Sequence, residues 1–175
     1  MQDDGIKLHI GGATSKEGWR VLNIVPGPHV DYVGNCNDLS FLPDNACTEI
    51  YASHVLEHLG YNGEIAAALK GMHRVLKPGG RLRVSVPDLM TLCQLFVQPD
   101  MPTQARWELM RMMYGGRLDE HDVHTSGLTD KFLSILLRQA GFQRIARVGE
   151  FLEFHDTNLL RFAGQLISLN MEAFK

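Results

Sequence analysis

The sequence contains few cysteines, and their arrangement excludes two common kinds of small scaffold. Only Cys36, Cys47 and Cys93 are present among the 175 residues, and no two of them form a CxxC pair. An odd number of widely spaced cysteines predicts neither a disulfide framework nor a cysteine-based zinc site. We therefore expect each cysteine to act as a small buried apolar side chain.

The chain also lacks an excess of positive charge and any long apolar segment. Its formal net charge is -3 at pH 7 and its basic residues are scattered, whereas a nucleic-acid binder needs a basic surface. No apolar run approaches the length that spans a bilayer. The acidic start Met1-Gln2-Asp3-Asp4 differs from the basic start of a signal peptide. These absences predict a cytoplasmic protein that binds neither nucleic acid nor a membrane.

The composition present is that of one soluble globular domain covering residues 1–175. The chain is 45% hydrophobic and 21% charged, which is ordinary for such a domain and sufficient for a substantial core. It contains no internal repeat or low-complexity tract.

The most informative stretch runs from Thr48 to Asp88. It reads as a strand at 48–53, a helix at 65–76 that Pro78-Gly79-Gly80 ends, and an alternating strand at 82–86. A strand, a helix and a strand of these lengths form a right-handed crossover, so the two strands are parallel neighbours. Ligands of such sheets bind at the carboxyl ends of the strands.

The remaining elements extend this unit on both sides. Strands are predicted at 6–10, where Leu8 and Ile10 point inward, and at 20–24, 30–33, 142–148 and 166–174. Helices are predicted at 89–97, 103–114 and 128–140, the last with Thr129 as N-cap and Gly141 as its end. An irregular aromatic loop covers 150–158. Only the residues ATSKEGW separate Gly12 from the second strand, so the first helix is reduced or absent, and we expect that face of the sheet to be less covered.

Several of these segments carry motifs of a known family. The segments ASHVLEHL, RVLKPGG with its following strand, LNI, DLSFLPD and SLNMEAFK resemble class I S-adenosylmethionine (SAM)-dependent methyltransferases, in the small-molecule branch of predicted methyltransferases (type 11-like). The resemblance covers nearly the whole chain. It implies an α/β, Rossmann-like sheet of seven mostly parallel strands, with the last strand antiparallel beside the fifth.

The resemblance also implies SAM-binding positions. Gly11 and Gly12 would lie against the methionine portion, Asp38 and Leu39 near the adenine, and Ser53 and His54 beside the sulfonium. From the residues alone, a tight turn explains the two glycines better than a ligand site does, whereas Asp38 is equally a cap or turn residue.

Two positions depart from the family pattern. Val25 stands where the family usually has an acidic residue that binds the ribose, so Asn23 or Asp31 would have to replace it. Asn35 stands where relatives often have aspartate. Both departures predict weaker SAM binding.

The segment His54-Val-Leu-Glu57-His58 also fits the HxxEH pattern of some zinc hydrolases. Two histidines one turn apart need a rigid helix, which Gly60 interrupts, and a third ligand, for which the sequence offers no motif. We therefore expect no metal. Packing against the helix or capping it explains His58 as well as a functional role does.

Residues 98–127 form an insertion that in this branch usually builds the substrate lid. Trp107, Met110 and Tyr114 are the lid residues predicted to contact an acceptor, although ordinary core packing also explains them. His121 and His124 follow in a polar loop, which suits either function or solvation.

The resemblance predicts methyl transfer from SAM to an oxygen or nitrogen of a small-molecule or saccharide-like acceptor. If a base is needed, the candidates are His54, His121 and His124, in that order. The first alternative is a non-catalytic protein that retains the fold and binds SAM weakly or not at all. The second is an HxxEH zinc hydrolase.

Overall fold

A seven-stranded β-sheet runs through the protein in a computed structural model that describes residues 5–175. The acidic residues Met1 to Asp4 lie outside the described residues. The strands are β1 (Ile6–Ile10), β2 (Trp19–Asn23), β3 (Tyr32–Val33), β4 (Cys47–Ser53), β5 (Leu76–Pro87), β6 (Gln143–Val148), β7 (Arg161–Phe162), β8 (Gln165–Leu166) and β9 (Ser168–Phe174). The sheet order is β3-β2-β1-β4-β5-β9-β6, and β7 and β8 form a separate hairpin.

Within the sheet, β9 is antiparallel to both of its neighbours, and the other neighbouring strands pair in parallel. The register of β9 on β5 joins Val84 to Met171 and Val86 to Leu169. This topology confirms the predicted fold class, including the antiparallel last strand beside the fifth.

Within residues 5–175, four α-helices accompany the sheet: α1 (Glu64–Val75), α2 (Leu89–Phe96), α3 (Thr103–Tyr114) and α4 (Asp130–Gln139). Short 3-10 turns occur at Leu56–His58 and Thr157–Leu159. The predicted cap of α4 is confirmed, because the Thr129 side chain accepts a hydrogen bond from the Phe132 amide at 3.3 Å. Gly141 follows the helix with a φ of +104°, a left-handed conformation that glycine adopts without strain. None of the helices in the described part of the chain is long and apolar enough to cross a membrane.

One face of the sheet holds the main core. Alternation along β1 turns Leu8 and Ile10 to this face, as predicted, and both are fully buried. Helices α1 and α4 pack on each other and their apolar residues join the same core, which also contains Ile50, Ala52, Leu69, Met72, Leu82, Val84, Leu133 and Leu137.

The opposite face is where a first helix is missing, and a loop covers it instead. No helix occurs between β1 and β2, as predicted. Phe151 and Phe154 pack there against Trp19, Tyr51 and His9, with the Phe154 ring centroid 4.0 Å from that of His9 and 4.8 Å from that of Tyr51. The expectation of a less covered face is therefore wrong around Tyr51, which is fully buried.

Several boundaries differ from the prediction. The third strand is shorter, because Val30 closes a turn onto the Gly27 carbonyl at 3.1 Å. Strand β5 begins before its predicted start, directly after α1. The chain before β9 forms the β7–β8 hairpin, whose Phe162 packs with Ile167, α2 and α3 in a second, smaller core.

Candidate active site

A cavity of about 450 Å³ lies where β1, β2 and β4 reach their carboxyl ends. This is the edge at which parallel α/β sheets bind ligands, and the volume is within the range of small-molecule sites. The wall is formed by residues from the strand ends, the loop after β3, the turn after β4 and the loop after α3: Ile10, Gly11, Leu22, Asn23, Ile24, Val25, Gly34, Asn35, Cys36, His54, Val55, His58, Leu59, Asp119, Glu120, His121, Asp122, Val123 and Thr125.

Gly11 forms part of the wall, and its position requires glycine. Its φ is +79°, and an added Cβ would lie 2.5 Å from Cγ2 of Val55. At Gly12, which lies behind the wall, a Cβ would lie 2.5 Å from Nδ1 of His9. The lack of a side chain at both glycines therefore leaves room for Val55 after β4 and for His9 on the aromatic face. Gly11 is exposed to the cavity.

Asn23 shapes this loop with its side chain. Its Nδ2 donates to the Gly12 carbonyl at 2.9 Å, and its Oδ1 accepts from the Val25 amide at 2.9 Å. The asparagine thus lies on the wall but uses both of its polar atoms within the chain.

Besides Gly12, three predicted SAM-binding residues lie away from the cavity wall. The Asp38 carboxylate accepts from the Ser40 amide at 2.9 Å, and this hydrogen bond lowers the pKa of Asp38. Leu39 is buried in the main core. Ser53 faces the aromatic side, where its hydroxyl donates to Asp156 at 3.2 Å. The structure thus gives Asp38 the role of a turn residue.

The position after β2 carries no carboxylate that is free to bind a ribose. Val25 lies on the wall, while Asp31 accepts from Nη1 of Arg20 and from the Val21 amide, each at 2.8 Å.

Cys36 contributes a thiol to the wall, and burial raises the pKa of this thiol to about 12. It therefore remains a neutral thiol at pH 7.

His54 lies on the wall, and each of its ring nitrogens has a polar neighbour. Its Nε2 lies 3.1 Å from the Ser168 hydroxyl, which itself donates to the Thr157 carbonyl at 2.7 Å. Nε2 is therefore the donor to Ser168. Nδ1 lies 3.2 Å from Oε1 of Glu57. The His54 backbone is left-handed, with a φ of +53°.

The other two candidate bases occupy different surroundings. His121 is exposed on the cavity wall. His124 instead packs against His58, with ring centroids 4.9 Å apart. Burial lowers the pKa of His124, so its imidazole is neutral at pH 7.

The predicted lid segment divides into two parts. Trp107, Met110 and Tyr114 border a separate hollow together with Arg111 and Arg117. The following loop forms one side of the main cavity, and Asp122 closes it by accepting from the Gly116 amide at 3.2 Å and the Leu118 amide at 3.1 Å.

Sequence reasoning missed the buried carboxylate of Glu57 as a member of the site. Glu57 is 1% exposed, and neither of its carboxylate oxygens has a hydrogen-bond partner among the described residues. The HVLEH spacing draws attention to Glu57, but only the fold brings His124 beside it.

Comparison with known proteins finds a partial match in sequence. The sequence model of a methyltransferase-domain family matches residues 15–84, which is less than half of the chain. No functionally curated protein matches the chain in sequence.

Solved structures resemble the chain over its whole length. A SAM-dependent methyltransferase from Archaeoglobus fulgidus aligns with a TM-score of 0.61 at 15% identity, over 99% of this chain and 87% of that one. The 1,6-didemethyltoxoflavin-N1-methyltransferase of Burkholderia thailandensis, solved with its substrate and S-adenosylhomocysteine, gives 0.59 at 19% identity, over 97% and 70%. A SAM-dependent methyltransferase from Mesorhizobium loti gives 0.58 at 15% identity, over 100% and 94%.

At these identities the solved structures establish the fold. The family match over residues 15–84 adds the sequence signal of a methyltransferase domain. Together they support the resemblance, and the chain has the fold of class I SAM-dependent methyltransferases.

Proposed function

We propose that the protein transfers a methyl group from SAM to an oxygen or nitrogen of a small-molecule or saccharide-like acceptor. The observation that carries this proposal is the cavity of about 450 Å³ at the carboxyl ends of β1, β2 and β4. In this fold, that edge is the position expected for the cofactor and the acceptor.

The residues of the cavity fit SAM in size and chemistry. Gly11 and Gly34 leave backbone open to a ligand, and an added Cβ at Gly34 would meet only Leu22, at 3.9 Å. Ile10 and Val25 offer apolar contact. The acidic residues Asp119, Glu120 and Asp122 of the loop after α3 give this side of the cavity a negative charge, which suits the positive charge of SAM bound nearby.

In this arrangement, Gly11 and Gly34 would hold the cofactor together with apolar wall residues, and the loop of residues 115–127 would hold the acceptor. SAM, when bound, supplies an activated methyl carbon. The protein's own contribution is then alignment and exclusion of water, because displacement at such a carbon depends on the approach of the two reactants in line.

An acceptor hydroxyl must also lose its proton. His54 and His121 are the two candidate bases on the wall. The His54 ring is held by its hydrogen bond to Ser168, whereas His121 lies at the exposed side of the cavity. His124 is not part of the wall and would act through His58 and Glu57, which lie beside it.

A non-catalytic role is the second candidate, and one observation favours it. Val25 offers no carboxylate, and both oxygens of Asp31 are already bonded within the chain. The ribose of SAM would lack one strong contact, so the affinity of the protein for SAM would be modest.

Turnover separates the two candidates. The protein should release S-adenosylhomocysteine from SAM when it is incubated with pools of hydroxyl- and amine-bearing small molecules, and only when an acceptor is present. Binding of S-adenosylhomocysteine without turnover in any pool would favour the non-catalytic role.

A further inference from the structure

The negative charge of the buried Glu57 carboxylate is only partly compensated by its neighbours. Its carboxylate is buried and neither oxygen has a hydrogen-bond partner among the described residues. A buried carboxylate without hydrogen bonds is costly unless a positive charge compensates it. The nearest cationic candidate is Nδ1 of His54 at 3.2 Å, but this contact does not have the geometry of a hydrogen bond.

His58 and His124 lie beside Glu57, and a hydrogen bond fixes the orientation of each ring. Nδ1 of His58 lies 3.1 Å from the Val123 carbonyl, and Nδ1 of His124 lies 3.0 Å from the Met112 carbonyl. A carbonyl only accepts, so both Nδ1 atoms carry the hydrogen. Each neutral ring therefore keeps a free lone pair on Nε2, as in metal-binding histidines whose other nitrogen donates to a backbone carbonyl.

The three side chains are close enough to share one ion. One ligand atom from each of Glu57, His58 and His124 lies within 4.8 Å of the other two. A tetrahedral zinc site with bonds of about 2.1 Å has ligand atoms roughly 3.4 Å apart, which is inside this limit.

The backbone holds the two contributing segments together. The Glu57 carbonyl accepts from the Thr125 amide at 2.8 Å and from the Ser126 amide at 3.1 Å. The Ser126 hydroxyl donates to the Leu59 carbonyl at 2.5 Å. The turn after β4 and the loop after α3 are thus joined on either side of the cluster, which reduces the rearrangement that a ligand would require.

We propose that Glu57, His58 and His124 bind a divalent transition-metal cation of the zinc, cobalt or manganese class. The donor set of two imidazoles and one carboxylate is typical of sites that keep a coordination position open. The expectation of no metal depended on a missing third ligand, and His124 supplies one.

The position of the site suggests what would occupy the open coordination position. His58 belongs both to the cluster and to the cavity wall, so an oxygen or nitrogen of an acceptor in the cavity can reach the ion. The ion would orient this atom and make a hydroxyl more acidic. This role rests on the proposed function, whereas binding of the metal does not.

Metal titration tests the site without any acceptor. Full-length protein stripped with a chelator and dialysed should bind one equivalent of Zn²⁺ in calorimetry. Cobalt should give the visible absorption of a site with nitrogen ligands. Glu57→Gln and His124→Ala should each weaken Zn²⁺ binding at least tenfold, while His155→Ala, which removes an exposed histidine outside the cluster, should leave it unchanged.

Thermal unfolding shows whether each variant is folded. The same Zn²⁺ concentration should raise the midpoint of the parent more than that of Glu57→Gln. The metal-free Glu57→Gln protein should be at least as stable as the metal-free parent, because an uncompensated buried charge has been removed. A folded parent that binds no Zn²⁺, or equal losses in His155→Ala and His124→Ala, would overturn the site. S-adenosylhomocysteine titrated into the same samples reports separately on the proposed function.

Discussion

Tyr51, at the centre of the sheet, donates its hydroxyl hydrogen to the Asp156 carboxylate at 2.9 Å. Burial, followed by the charge of Asp156, raises the pKa of Tyr51, so the phenol stays protonated and remains a donor. This bond attaches the aromatic loop to the face of the sheet on which no first helix lies.

Tyr51→Phe should lower the free energy of unfolding by about 1 to 2 kcal/mol, because a buried hydrogen bond to a charged acceptor is lost while the ring is kept. Urea unfolding measures the change. Tyr61→Phe is the matched control, since Tyr61 is 76% exposed, and it should leave stability unchanged. Equal stability of Tyr51→Phe and the parent would show that the bond contributes nothing to holding the loop.

His9 should make stability depend on pH. Burial lowers its pKa from 6.5 to about 4, with Asp156 opposing this shift and Lys16 adding to it. Between these two values the unfolded chain binds more protons than the folded one, so stability falls as the pH falls. The loss should reach on the order of 3 kcal/mol by pH 4.

The variant His9→Phe should flatten this part of the pH profile. Unfolding free energies of the variant and the parent, compared from pH 7 to pH 4, isolate the histidine from the carboxylates that titrate in both. His155→Phe, at an exposed position, should retain the parental slope. Parallel profiles of the parent and His9→Phe would show that His9 can be protonated in the folded protein.

The missing carboxylate after β2 can be restored. Val25→Asp should tighten binding of S-adenosylhomocysteine by about 1 kcal/mol, the scale of one hydrogen bond to a charged acceptor. Val97→Asp introduces the same change at an exposed valine outside the cavity wall and should have no effect. If Val25→Asp binds no better than the parent, the ribose does not lie beside residue 25.

The loop after α3 should depend on Asp122 for its order. Asp122→Ala removes the acceptor of the Gly116 and Leu118 amides, so hydrogen exchange should become faster at these amides than in the parent. Glu120→Ala changes a neighbouring acid of the same loop and should leave their exchange unaltered. Unchanged exchange in Asp122→Ala would mean that other contacts hold this wall of the cavity.

The sequence predicted the sheet well because alternation and helical spacing are local signals. Leu8 and Ile10 point inward as expected, and α3 has the predicted bounds. The β7–β8 hairpin escaped prediction because each strand has two residues, too few to show a period. The covering of Tyr51 by Phe151 and Phe154 depends on contacts between distant segments, which no local pattern records.

The site was predictable where it depends on the strand ends and not where it depends on long-range contacts. Gly11, Asn23 and His54 lie on the wall because they follow the strands directly. Asp38 fits a family position but caps a turn in this chain. The meeting of His58 with His124 requires the insertion to fold back over the turn after β4, which the sequence gives no means to foresee.

In the proposed function, the SAM-derived ligand binds in the cavity at the carboxyl ends of β1, β2 and β4. Gly34 lies on its wall without a left-handed backbone, whereas Gly149 is exposed elsewhere, and a Cβ there would meet nothing within 4 Å. Calorimetric titration with S-adenosylhomocysteine should show one binding site in the parent and in Gly149→Leu, and at least tenfold weaker binding in a folded Gly34→Leu protein. Equal affinity in all three proteins, or no binding by the folded parent, would contradict the account.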